Sequence, residues 1–372
     1  MLFLYGLCFL PFLIGLILWY CSKSIHLLEF LASLPVGLIV VAIIHGFTYA
    51  SLTGDTMLNS GELVKATYYP QWIEEYQQSH TSCTGSGKNQ VCTTYYTTEH
   101  RTHYPEWVTY SNIDTSYGIK LEEFKIISNT FGNYVTEKEY KSGFDGGDPN
   151  IYSTYKRVVN KDETTVYFPV TKEIGWTNKI KATKSVFKFI DVPKTVPTYA
   201  YPIPTNSFES NRLLGEAKKD FKTEDLDKLN GYLGKIKHIN LIIIGYKDSD
   251  SMQAKYQESA WLGGKENDLV LTYGKDDKGK VTWSYVFGWT NSEEVKRNLE
   301  TVLMTKPLKE TISESRKEIL ANYKCKDFKD FNYLSVEPPL WSYILTIFIL
   351  IATQVGWYYY ALSNDFNQGD RL

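Results

Sequence analysis

Hydrophobic positions along the chain begin as unbroken runs. Residues 2–20 (LFLYGLCFLPFLIGLILWY) carry no charge, residues 27–50 follow after only CSKSIH, and residues 340–362 form a third run. Each is long enough to cross a hydrocarbon core of about 30 Å at about 1.5 Å rise per residue, so three transmembrane helices are expected. A cleaved signal peptide is the competing reading of the first run. It lacks a basic leading region, and a second apolar run follows at once, so residues 1–50 are read as an uncleaved transmembrane hairpin. Trp19, Tyr20, Tyr49, Trp341, Trp357, Tyr358, Tyr359 and Tyr360 stand at the run ends, where amphipathic rings prefer the headgroup region. Glu29 and His45, each near one end of the second run, are read as reaching the interface.

Between the second and third runs the period shortens. Residues 51–192 are rich in Thr, Tyr, Val and Trp, and TTVYFPV (164–170), SVFKFIDV (185–192) and the segments flanking Cys83 and Cys92 read as strands. KLEEFKIISNTF (120–131) is the exception, an amphipathic helix with Leu121, Phe124, Ile127 and Phe131 on one face. The prolines of VPKTVPTYAYPIPTN (192–206) follow neither period and mark a stiff extended linker over 193–206. Helices and strands then alternate across 207–337. A helix starts near Thr223 with Glu224 and Asp225 in its first turn. HINLIIIGY (238–246) is apolar almost throughout, as a strand covered on both faces should be. SMQAKYQESAWL (251–262) is a helix ended by Gly263 and Gly264, and Val281, Trp283, Tyr285 and Phe287 alternate as in a half-buried strand. Thr290 and Glu293 form a capping box before Val295, Leu299, Val302 and Leu303, and a last helix carries Leu308, Ile312, Ile319 and Tyr323.

Charge enters only locally. A formal net charge of −2 over 372 residues gives no general attraction to nucleic acid, which is not an expected partner. Lys23 and Arg371 are the basic residues of the two short segments that three crossings leave on one side, and the positive-inside rule assigns them to the cytoplasm. Residues 51–339 are then extracytoplasmic, periplasmic or cell-surface, and the tail 363–372 is cytoplasmic. No N-x-[ST] sequon lies in the large region, which favours a bacterial envelope, or a phage protein placed in one. FDGGDPN (144–150) lacks the residue order of an EF-hand and reads as a surface turn.

HTSCTGSGKNQVCTT (80–94) decides the compartment. Gly87-Lys88 is followed by Asn89, and Ser82 stands where a phosphate-binding loop needs its first glycine, so that reading fails. YYPQW (68–72) and HYPEW (103–107) repeat Tyr-Pro-x-Trp, with Pro70 as far before Cys83 as Pro105 is after Cys92. The mirror spacing predicts an antiparallel ribbon with Cys83 opposite Cys92, Glu75 opposite His100, Glu74 opposite Arg101, Tyr76 opposite Glu99 and Trp72 opposite His103. The facing charges are complementary, and opposed positions approach closely enough for a disulfide. A zinc clip from His80, Cys83, Cys92, His100 and His103 is the alternative, but the usual C-x2-4-C spacing is missing; free thiols are the third reading. A disulfide favours an oxidising compartment, in agreement with the charge rule. Tyr69, Trp72, Tyr104 and Trp107, the aromatics of the repeat, are candidate interaction residues.

WLGGKENDLVLTYG (261–274) with the preceding INLIIIGY, within an order of helix, strand, helix, two strands and two helices over about 208–325, resembles the TPM domain. The resemblance covers about a third of the chain; residues 51–206 resemble nothing known to us. It implies a membrane-tethered, extracytoplasmic module of assembly, accessory or phosphatase function. It also implies candidate cation ligands, calcium or another divalent ion, at Asp248 and Asp250 past the first strand and at Asp276 and Asp277 in the hairpin turn. The expected fold is a membrane-anchored α+β protein with three transmembrane helices, a β-rich extracytoplasmic domain and an α/β TPM-like domain. The expected function is an envelope accessory or interaction module that meets the lipid bilayer and a protein partner, in assembly or maintenance of a membrane complex. The alternative is a cation-dependent extracytoplasmic hydrolase of phosphatase type. No G-x-S-x-G, H-E-x-x-H or S-x-x-K motif supports the hydrolase.

Overall fold

The computed structural model describes residues 3–9, 13, 15–17, 20, 27–85, 91–113, 115–139, 150–156, 166, 168–183, 186–187, 189–247 and 249–364. The cytoplasmic loop expected at 21–26, most of the turn at 144–150, the ribbon tip at 86–90 and the tail beyond 364 lie outside these residues. The fold is mixed α+β. Two helices, α2 (Leu27–Thr53) and α10 (Leu340–Asn364), are long and apolar enough to cross a membrane. They pack together, with Gln354 Nε2 donating to the Ser33 carbonyl at 2.8 Å. The outer faces of both helices carry exposed apolar side chains, Ile39, Ile43 and Phe47 on one, Ile344, Phe348 and Val355 on the other. Of the first apolar run, α1 (Phe3–Gly6) is described, and Leu4 and Cys8 bury against Val41 and Leu350. A third crossing helix is not among the described elements.

Helix α2 passes into β1 (Gly54–Tyr69) without a linker, and this 16-residue strand pairs with three others. Its first half pairs antiparallel with β8 (Pro169–Thr177), its second half with β4 (Glu106–Ser111) and β7 (Asn150–Lys156). β5 (Ser116–Gly118) and β6 (Asn133–Glu139) complete the sheet at its edges. The amphipathic helix forms as predicted: α3 (Leu121–Phe131) buries Phe124, Ile127 and Phe131 against Leu63, Ala66 and Val170. The described residues of SVFKFIDV, 186–187 and 189–192, do not form the expected strand. Val186 and Phe187 lie in a turn, and Phe187 and Phe189 join Trp176, Trp289, Phe328 and Phe331 in an aromatic cluster. Apolar alternation there serves a loop that plugs a gap, which periodicity alone cannot tell from a strand.

The second half is an open sheet in the order β12-β11-β10-β9, where β9 (Leu213–Gly215), β10 (Asn240–Lys247) and β11 (Asp268–Lys275) are parallel and β12 (Val281–Gly288) is antiparallel. β10 and β11 are buried along nearly their whole length because both faces are covered, whereas β12 is buried only from Val286 to Gly288. Leu241, Ile243, Leu269 and Leu271 meet α6 (Thr223–Lys237), α8 (Glu293–Thr305) and α9 (Leu308–Asn322). Ile242, Ile244 and Val270 meet Trp261, Tyr199 and Tyr201 on the other face. Helix α8 starts without the predicted capping box. Thr290 Oγ1 donates to the Lys324 carbonyl and Glu293 pairs with Lys296, because the neighbouring loop competes for the threonine.

The proline-rich stretch forms no helix over 193–206, turns at its start where Val196 N donates to the Pro193 carbonyl at 3.0 Å, and is not loose. Tyr199 N donates to Gln257 Oε1 at 2.8 Å, and its carbonyl accepts from Gln257 Nε2 at 3.0 Å and from Trp261 Nε1 at 2.9 Å. These bonds strap the linker across α7 (Met252–Ala260) and make it the missing cover of the second sheet. The two halves also share a close contact. Helix α6 lies on β1 through Gly231 and Gly234, where an added Cβ would stand 2.8 Å from the Gly61 carbonyl and 2.3 Å from the Ser60 carbonyl. Arg212, 1% exposed, crosses the same seam: it donates to Asn240 at 2.6 Å, Ser60 at 2.5 Å and Thr171 at 3.0 Å, and faces Asp227 at 3.4 Å. A buried guanidinium stays in place only with such partners, so these bonds weld the halves.

Candidate functional site

The ribbon forms in the predicted register. β2 (Trp72–Thr84) and β3 (Val91–His103) pair antiparallel with Cys83 opposite Cys92, Glu75 opposite His100, Glu74 opposite Arg101, Tyr76 opposite Glu99 and Trp72 opposite His103. Cys83 and Cys92 are joined by a disulfide. Among the described residues the ribbon pairs with no other strand, and its side chains are mostly exposed, including Tyr95 and Tyr96. With 13 residues per strand at about 3.3 Å each, it reaches roughly 40 Å.

Cross-strand contacts replace a core. Trp72 stacks on His103 at 4.2 Å, His80 stacks on Tyr95 at 5.3 Å, and Glu74 meets His103 Nε2 at 2.8 Å. The Tyr-Pro-x-Trp repeat marks the junction with the body. Tyr69 pairs with Glu106 and Trp72 with His103, while the residues between, Pro70 and Gln71 against Tyr104 and Pro105, pair with nothing in the ladder. Proline has no N–H to donate, so each strand leaves the main sheet at its proline in the same register. The four candidate aromatics therefore divide. Trp107 stacks on Tyr68 and Tyr69 OH bonds Tyr110 OH, both in the body; Trp72 sits at the ribbon base; Tyr104 is 75% exposed.

The predicted cation ligands serve turns. Asp250 Oδ1 accepts from Met252 N at 2.8 Å at the start of α7, and Asp276 Oδ1 accepts from Lys278 N and Lys280 N at 3.0 and 2.9 Å in the hairpin turn. Asp277 pairs with Lys247 at 3.0 Å. Asp248 lies outside the described residues. Among the described residues, no three His, Cys, Asp or Glu side chains are grouped to hold a metal ion.

A cluster that sequence reasoning missed sits at the carboxyl end of the parallel strands, where open α/β sheets bind ligands. Gly215, at φ +59°, turns the chain so tightly that a Cβ would lie 2.2 Å from the Gly245 carbonyl. Past it, Glu216 and Asp220, at the start and end of α5 (Ala217–Asp220), converge on Lys275, whose Nζ lies 3.2 Å from Glu216 Oε2 and 2.8 Å from Asp220 Oδ1. Tyr273 OH donates to Asp220 Oδ2 at 2.5 Å. Burial works to lower Lys275, but the Asp220 and Glu216 hydrogen bonds outweigh it and hold its pKa above the usual lysine range. Burial and Asp220 push Tyr273 far up. The ammonium thus fills the space between the carboxylates, and the phenol stays protonated. Its sequence signal was Glu216 and Asp220 four apart after LLG; a three-residue strand was too short to announce it. Compared with protein-family models, curated proteins and solved structures, the chain matches none.

Proposed function

We propose that the protein is a membrane-anchored interaction module that presents its disulfide-closed ribbon to a protein partner outside the cytoplasm, in assembly or maintenance of a membrane complex. The observation that carries this reading is the ribbon itself: a polar, cross-linked, two-stranded arm that leaves the body at paired prolines and, among the described residues, pairs with no other strand. A two-stranded ribbon is marginal alone, and a disulfide that closes it stabilises an element whose side chains are free for contact. Tyrosine, favoured in contact surfaces, is exposed on it at Tyr95, Tyr96 and Tyr104.

Three observations support the membrane reading. Helices α2 and α10 bracket residues 54–339 and are apolar on their exposed faces; the first run exposes Phe9, Leu13 and Ile17 in the same way, as a third span would; the disulfide belongs to an oxidising compartment. The TPM-like reading of the second half rests on its motif and element order. The hydrolase alternative is weaker, because Asp250, Asp276 and Asp277 are committed to turns and an ion pair and Lys275 occupies the carboxylates at the strand ends.

A photo-crosslinking side chain at Tyr96 of the membrane-embedded chain tests the ribbon. One discrete adduct is expected, lost in Cys83→Ser and absent when the crosslinker stands at Lys218 on the body. No adduct from the ribbon, together with cation-dependent phosphate release abolished by Asp250→Asn, would replace the binding reading with the hydrolase.

A further inference from the structure

A cleft of about 650 Å³ opens between α7, the start of α8 and the loop carrying Phe187 and Phe189, within the size range of small-molecule sites. One wall is aromatic: Phe187, Phe189, Trp289 and Phe331. The other is charged, with Lys255, Lys296 and Lys326 against Glu258 and Glu293. Both carboxylates are engaged within the protein. Glu258 accepts from Tyr285 OH at 2.6 Å, and Glu293 pairs with Lys296 at 2.9 Å. That leaves Lys255 and Lys326 without a carboxylate partner among the described residues, Lys326 with its Nζ 5.4 Å from the centre of the Phe331 ring.

The position of the cleft says what fills it. Its aromatic wall continues through Phe328 to Trp176, at 4.8 Å, and Trp176 pairs in the ladder with Asp55, one residue past the point where α2 becomes β1. Phe331 stands a short run before α10 starts at Leu340. Lys179 Nζ and Lys181 Nζ bond the Asn332 and Gly54 carbonyls at the same level. Packed rings therefore link the cleft to the start of β1, where α2 ends, and under the membrane reading above, on which this inference rests, the cleft is taken to face the lipid headgroups. We propose that it binds an anionic phospholipid, with the phosphate head between Lys255 and Lys326 and the proximal acyl chain on Phe187, Phe189 and Trp289. The charge fits: ammonium groups that no carboxylate neutralises attract anionic lipid near a bilayer surface. So does the wall, since a free soluble anion has no use for four aromatic rings.

The test uses the full chain in an uncharged detergent, so that it stands apart from the membrane reading, which alkaline extraction of membranes examines by itself. Phosphatidylglycerol and phosphatidylcholine with brominated acyl chains are titrated while tryptophan fluorescence is followed. Saturable quenching by phosphatidylglycerol is expected at roughly tenfold lower concentration than by phosphatidylcholine. Trp289→Phe should remove part of the quenched signal, and Lys255→Glu with Lys326→Glu should weaken phosphatidylglycerol about tenfold while the circular dichroism is unchanged. Equal quenching by the two lipids, or indifference to the lysine substitutions, overturns the proposal. Displacement of the lipid by equimolar inorganic phosphate also overturns it and reassigns the cleft to a soluble anion.

Discussion

The ribbon and the parallel sheet are held by opposite means. In the ribbon, the stabilising contacts described run within one two-stranded ladder, some directly across it and some, such as Glu74 with His103, on the diagonal, and a covalent bond closes it. In the sheet, Ile242, Ile243 and Ile244 are fully buried, and each touches elements far apart in sequence. A break in the ribbon should stay local, whereas a break at the sheet or its seam should unfold the body.

The largest effect is expected at the seam. Arg212→Ala leaves Asp227 and Asn240 buried without their partner and should cost about 3–5 kcal/mol, read as a lower global midpoint in urea denaturation. An unchanged midpoint would show that the halves are joined elsewhere. Gly234→Ala drives a Cβ into the Ser60 carbonyl and should cost about 1–3 kcal/mol of the same transition.

Cys83→Ser should remove about 2–3 kcal/mol from the ribbon alone. Hydrogen exchange should speed up in 72–103 and stay unchanged in 240–247, so that a parallel loss in the sheet would erase the contrast between the regions. Asp55 adds a pH test. Burial raises its pKa, but hydrogen bonds from Lys265 and Asn178 prevail and hold it below the usual carboxylate range. Its contribution is therefore present above pH about 4 and lost as pH falls through the lowered pKa. The stability gap between wild type and Asp55→Asn, about 1–3 kcal/mol at neutral pH, should close on acidification. A gap that widens in acid would reverse the sign. Smallest is Glu75→Ala: its pair with His100 at 3.5 Å is exposed, and a global change of no more than about 0.5 kcal/mol is expected.

The contrast also explains what was legible. The ribbon register was readable because its determinants are one-dimensional: mirrored prolines, paired charges and two cysteines. Strands β10 to β12 and their helices were readable because hydrophobic runs are local signals, even though the predicted capping box at Thr290 did not form. The strap at Tyr199, the glycine seat of α6 on β1, the buried Arg212 and the Glu216, Asp220 and Lys275 cluster left no such mark.

By itself, then, the sequence determined two helices apolar enough for a membrane, the cross-linked ribbon with its partners, and the order of elements from Thr223 to Asn322. Tertiary packing alone made one 16-residue strand serve three others, a proline-rich linker cover a sheet face, and an aromatic-lined cleft open between α7 and α8. The physical reason is one of range. Propensity, alternation and ladder pairing act between near neighbours in the chain, whereas burial brings together residues such as Ser60 and Arg212, whose meeting depends on every element between them.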